Sequence, residues 1–202
     1  MLFYFNPNRY AYRLELPEFP SQKGHHIMDI RIEKTRQSII NAFIELRSHK
    51  ELERITIKEL CEKAQINKST FYAHYRDIYD LMDALSNDAI SSVVSGMHYL
   101  ANMFEDPHAF FLDMYDALSI CQNDNIQPFS SGNMKFSQQL SAALNAKAIE
   151  QGLQPDNYHY VGALLTFTIN GIIALHKVKE PAINDEDLEK LANFFENGVR
   201  SL

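Results

Sequence analysis

The chain has 202 residues, 46% of them apolar, and a formal net charge of −7. That is ample material for a packed core, and no apolar run approaches the ~18 residues of a membrane span, so neither a disordered nor a bilayer-spanning chain is expected. Long helical runs, few strand-like alternations and only seven glycines and seven prolines point to an all-α fold.

Residues 1–28 are rich in aromatics and prolines and carry little helical periodicity. They read as an extension, either flexible or lying ahead of a true start at Met28. Arg9, Arg13 and Lys23 leave open an arm that touches DNA. The run Leu2, Phe3, Tyr4, Phe5 is cut short by Asn6 and Pro7, so no secretory segment is expected. The two cysteines, Cys61 and Cys121, have no metal or redox spacing, which fits a reducing cytoplasm. His25 and His26 lack a third ligand for a metal.

From Ile30 to about Ser48, the residues Ile39, Ala42, Phe43 and Leu46 form a helical stripe. Thr56 and Glu59 then have the spacing of a capping box. Ile57, Leu60, Cys61 and Ala64 follow at i, i+3, i+4 and i+7, one face of a second helix. Ala64, Gln65 and Ile66 break the pattern, Asn67 is a good N-cap, and Lys68 to Arg76 can form a third helix. On it Phe71 and Tyr75 face inward, while Ser69, Tyr72, Ala73 and Arg76 face out. A short helix buried on one edge and offering hydroxyls, an aromatic ring and a cation on the other suits a DNA major groove. The charge distribution agrees. Arg31 to Arg76 holds 10 Lys/Arg against 6 Asp/Glu, a net +4, and leaves −11 for the rest. A basic patch on one end of an acidic protein is the footprint of a local phosphate contact.

Beyond Arg76, the stripe Ile78, Leu81, Met82, Leu85, Ala89, Val93 predicts one long helix from about Ile78 to Phe104, a rigid lever. Pro107 suits the first turn of a helix running to about Gln122, and residues 123–128 read as a loop. Ser131 to Gln151 gives a further helix, closed by Gly152. Asp156 to about Val178 is apolar nearly all round and is expected to be buried on more than one side. Asn184 to Asp187 start a last helix with an acidic first turn.

The run from Thr56 to Leu81, with Thr-Ile-x-x-Leu-Cys-x-x-Ala-Gln-Ile-Asn-Lys-Ser-Thr-Phe-Tyr-x-His-Tyr-x-Asp-Ile-x-x-Leu, resembles the DNA-binding domain of the tetracycline-repressor (TetR) family over roughly residues 31–81. The resemblance implies an N-terminal three-helix helix-turn-helix DNA-binding domain, here residues 29–77, and a C-terminal helical ligand-binding and dimerisation domain, residues 78–202. It implies a dimeric transcriptional regulator, released from a pseudo-palindromic double-stranded operator by a small apolar or amphipathic effector. The alternative is a ligand-independent regulator or activator that works through a partner protein. The positions matching DNA contacts are Thr56, Asn67, Lys68, Ser69, Thr70, Tyr72 and His74. Three departures stand out: Gln65 replaces a turn Gly, Ser69 replaces a frequent Gly, and Ile78 stands where a phosphate-binding Lys is usual. Arg76, two residues earlier, is the candidate substitute.

The resemblance further implies a pocket within the C-terminal helices. Its candidate lining residues are Met103, Phe104, Phe110, Phe111, Met114 and Tyr115, with Phe136, Tyr160 and Phe167. For the dimer seam the candidates are Ile169, Ile172 and Ile173 in the apolar helix and Leu188, Leu191, Phe194 and Phe195 in the last. The chain has no Gly-rich phosphate loop, no nucleophile elbow and no spaced metal ligands, and His98, His108, His159 and His176 are scattered. No enzymatic activity, cofactor or metal is therefore expected.

Overall fold

The computed structural model describes residues 26–119, 134–153, 158–178 and 183–201. Residues 1–25 of the expected extension, the loop at 123–128 and Cys121 fall outside these. The elements are α1 (His26–Arg47), a 3-10 turn (Leu52–Arg54), α2 (Ile57–Ala64), α3 (Lys68–His74), α4 (Ile78–Gly96), α5 (Pro107–Ala117), α6 (Met134–Glu150), α7 (Tyr158–Lys177) and α8 (Asp185–Arg200). Among the described residues there is no strand, so the fold is all-α. By their internal contacts residues 1–37 and 38–202 form two units. In the first, Arg36 pairs with Glu33 at 3.7 Å and the Thr35 hydroxyl donates to the Arg31 carbonyl.

Local chemistry sets the helix starts. Thr56, Asn67, Asp77, Asp106 and Asn184 each accept the amide three residues on, at 2.8–3.2 Å. Each cap is worth about 1 kcal/mol over alanine. The expected capping box at Thr56 is half made. Glu59 does not reach back, because its carboxylate is taken by Lys50. Two helices end in the same way. At the end of α6 the Leu153 amide donates to the Ala148 carbonyl and Gly152 donates to Ile149, with Gly152 at φ 99°. At the end of α2 the Ile66 amide donates to Cys61 and Gln65 donates to Glu62, with Gln65 at φ 56°, ψ 42°. Both are Schellman closures. The second places a glutamine where a side chain costs about 1 kcal/mol or more.

Two groups of buried side chains follow from the apolar stripes. The first joins Ile39, Phe43 and Leu46 of α1 to Leu60 and Cys61 of α2, Phe71 of α3 with Tyr75 that caps its end, and Ile78, Leu81 and Met82 of α4. The second joins Ala89, Ile90 and Val93 of the same α4 to Phe110 and Met114 of α5, Leu140 and Leu144 of α6, Leu165, Ile169 and Ile172 of α7, and Phe195 of α8. Cys61 is a core residue, and burial pushes its thiol above the usual range. The Ser38 hydroxyl donates to the Ala64 carbonyl at 2.8 Å, and Lys63 meets Glu45 at 2.5 Å. Together they tie the end of α2 to α1.

The expected single helix from Ile78 to Phe104 is overturned. α4 stops at Gly96, and Met97 is extended. Remote side chains make the break. Asp113 of α5 accepts the amides of His98 (2.6 Å) and Tyr99 (2.9 Å). Lys147 of α6 donates to the Val94 carbonyl and, at 3.2 Å, to Met97, satisfying carbonyls that the helix end leaves open. The turn that follows buries Leu100 and Met103 completely. The α-helical part of α5 ends at Ala117, and the expected end at Gln122 lies outside the described residues. α7 is not buried on every side. Ala163, Phe167, Asn170, Gly171 and Ala174 share one exposed face, with Phe167 at 72%.

Candidate nucleic-acid interface

The residues read as DNA contacts lie at the starts of α2 and α3 and along the outer face of α3. Thr56 is exposed and caps α2. Phe71 (0% exposed) and Tyr75 (7%) anchor α3 in the first core. Lys68, Ser69, Tyr72 and Ala73 are left exposed, with Thr70 and His74 half-buried. Tyr72 stands out from the surface while the edge of its ring packs on Phe71, centroids 5.7 Å apart.

Asn67, Ser69 and Thr70 act as one unit. The Asn67 Oδ1 accepts the Thr70 amide (2.8 Å), the Ser69 hydroxyl (2.6 Å) and the Thr70 hydroxyl (2.7 Å). The amide fixes that atom as oxygen, so both hydroxyls must donate to it. Their lone pairs are then what they offer outward.

The cations divide sharply. Around the helix pair Lys50, Lys58, Lys63 and Arg76 are paired with Glu59, Glu62, Glu45 and Asp80. Arg47 is buried, donates to the Lys50 carbonyl and lies 3.9 Å from Glu51. Lys68 and Arg54 have no ion pair among the described residues and are exposed. Lys68 opens α3 and Arg54 closes the turn before Thr56. Arg54 was not singled out from sequence, although its place two residues before the α2 cap was readable.

Arg76 differs from Lys68 in being paired within the chain. Its backbone amide donates to Asp80 Oδ2 (2.9 Å), and its Nε (3.2 Å) and Nη2 (2.8 Å) donate to Oδ1. The hydrogen bond and charge of Asp80 raise the Arg76 pKa, and the same bond holds the Asp80 carboxyl below its usual range. Arg76 is thus a turn-closing residue in this conformation. The i,i+4 spacing of Arg76 and Asp80 carried the signal. Ile78 is 6% exposed and sits in the core, so no side chain at that position meets a phosphate.

The other candidate sites are placed differently from expectation. Met103, Phe110 and Met114 have 0% exposure and Phe136 2%. Zero accessible surface means that no water-sized void touches Met103, Phe110 or Met114, so these three line no preformed cavity. All four belong to the second core. Phe111 is buried, stacking on Phe195 at 5.3 Å, and Phe104 and Tyr115 are half-buried. Tyr160 lies in α7, and its side chain is outside the described residues. Phe167 lines an open depression on the outer face of α7 with Gly162, Ala163, Thr166, Asn170 and Gly171. Of the dimer candidates, Ile169, Ile172 and Phe195 belong to the chain's own core, Ile173, Leu188 and Leu191 are half-buried, and Phe194 is 76% exposed. A fully buried side chain offers a partner no surface. The large apolar residues exposed on these helices are Phe167 and Phe194.

No protein-family model and no curated protein matches the chain.

Proposed function

We propose that the chain is a DNA-binding transcriptional regulator of the tetracycline-repressor kind, acting in the cytoplasm. As a homodimer it sets the α3 of each protomer in the major groove of one half-site of a pseudo-palindromic operator. A small apolar or amphipathic ligand bound among the C-terminal helices releases it. The observation that carries this reading is the outer face of α3. Phe71 and Tyr75 lock the helix from behind, and Lys68, Ser69 and Tyr72 stand out in one row, with Lys68 uncommitted to any carboxylate among the described residues. Such a helix fits the ~12 Å major groove, and a free lysine adds salt-dependent affinity for phosphate. The exposed faces of α7 and α8, with Phe167 and Phe194, suit a self-complementary two-fold contact.

A second reading has a specific observation in its favour. The complete burial of Met103, Phe110 and Met114 leaves no void beside them for a ligand, which suits a regulator that answers to a partner protein. Selecting bound duplexes from a random pool, with and without candidate ligands, separates the two.

The test of the DNA assignment is Lys68→Ala and Tyr72→Ala on the selected duplex. Both are expected to weaken binding about tenfold or more with the helical content intact. Lys68→Ala should also flatten the salt dependence by about 1 for each protomer. Unchanged affinity in both variants would overturn the reading.

A further inference from the structure

We infer that Asp80 withholds Arg76 from the nucleic-acid backbone, so that affinity for duplex DNA is held below what the cations of the helix pair would allow. This rests on the DNA-binding reading above. Arg76 is the only cation between Phe71 and Met82, and its side chain is 87% exposed. By place and exposure it is the natural phosphate ligand at the α3–α4 junction. Its backbone amide and its guanidinium Nε and Nη2 nevertheless all donate to one carboxylate, three donors in all, at 2.8–3.2 Å. That carboxylate is fixed in advance. It sits in the first turn of α4, whose start is capped by Asp77 through the Asp80 amide at 2.8 Å.

The surroundings reinforce the hold. Asp77 is exposed beside the pair. Asp83 faces Lys135 of α6 at 2.8 Å. Ile78, buried in the core, brings no second cation. A phosphate must therefore displace an oriented carboxylate and approach past a second one. Exposed ion pairs are individually weak, so the hold is a bias on affinity, and removing the charge of Asp80 should release it.

Asp80→Asn keeps an oxygen for the Arg76 amide and removes the charge. The probe is a fluorescent mixed-sequence DNA duplex long enough for two half-sites ~34 Å apart, titrated by anisotropy with wild type, Asp80→Asn, Arg76→Gln and the double variant. Thermal melting checks each fold, and Asp80→Ser stands in should Asp80→Asn unfold. Asp80→Asn is expected to bind more tightly than wild type. With about one added phosphate contact per protomer, its advantage should grow about tenfold between about 200 and about 50 mM salt. Arg76→Gln alone should bind like wild type to within about twofold, and the double variant should match Arg76→Gln. The inference is overturned if Arg76→Gln alone weakens binding and flattens the salt slope, since Arg76 would then already reach phosphate. It is equally overturned if the gain from Asp80→Asn survives in the double variant, or if Asp80→Asn leaves affinity unchanged. Folded wild type that binds no duplex would remove the DNA-binding reading itself, and this inference with it. Wild type that binds and depends on Lys68, beside an inert Asp80→Asn, would remove this inference alone.

Discussion

Replacing Gln65 by glycine should stabilise the protein. Gln65 closes α2 at φ 56° and is the one non-glycine at positive φ among the described residues. An L-residue in this region costs roughly 1–2 kcal/mol. The side chain is exposed, so its removal forfeits no core packing. The two closing hydrogen bonds, Gln65 to Glu62 and Ile66 to Cys61, use backbone amides and survive the change. Against the relief stands glycine's greater freedom in the unfolded chain, about 0.5–1 kcal/mol. The net gain is therefore about 0.5–1 kcal/mol, or ~1–4 °C in Tm for a chain of this length. Urea unfolding followed by helical circular dichroism should show a raised midpoint at unchanged slope. Gln65→Val, a β-branched residue at the same φ, should lower the midpoint. A lowered midpoint for Gln65→Gly, or a raised one for Gln65→Val, would refute the idea that this turn is strained.

His176 stacks on Tyr115 with ring centroids 4.3 Å apart and donates through Nε2 to the Tyr115 carbonyl at 3.1 Å. Burial lowers its pKa below the ordinary 6.5, outweighing the bond to Tyr115. The folded state therefore takes up a proton less readily than the unfolded one, so the stability linked to this group is full above about pH 6.5 and declines as pH falls below it. Wild type should lose stability from pH 7 to pH 5 more steeply than His176→Gln, compared by urea midpoints at each pH. Phe167→Asp and Phe194→Asp place a charge on exposed faces of α7 and α8. On the homodimer proposed above, each should shift the sedimentation at micromolar concentration from dimer to monomer while leaving the helical content in place; a dimer surviving in both would exclude these faces as the seam.

Much of the fold could be read from residue spacing because it is decided locally. The stripes Ile39–Leu46 and Ile57–Ala64, the inward Phe71 and Tyr75, and the caps at Thr56, Asn67 and Asn184 depend only on neighbours within one or two turns. The end of α4 was not legible, because Asp113 and Lys147 reach it from elements 15 and 50 or more residues away. Apolar content does not show the exposed face of α7. A helix rich in Leu and Ile hides the fact that Ala163, Asn170, Gly171 and Ala174 gather on one side of α7 with Phe167. At the candidate site, the outward row of α3 was legible from its period. The committed state of Arg76 was legible too, from Asp80 one turn on, but a scan for cations passes over the acid that cancels one.

The double membership of α4 has a geometric consequence. At 100° per residue, Ile78, Leu81 and Met82 point to one side of the helix axis, and Ala89, Ile90 and Val93 point to a direction roughly 70° around it. The number of residues between Met82 and Ala89 therefore fixes the torsional phase between the two cores, as the pitch of a screw fixes the angle between marks on its shaft. An exposed position there such as Asn87 can change its side chain and leave that phase untouched. It cannot be deleted, because losing one residue would turn one seam against the other by about 100° and shorten the shaft by about 1.5 Å.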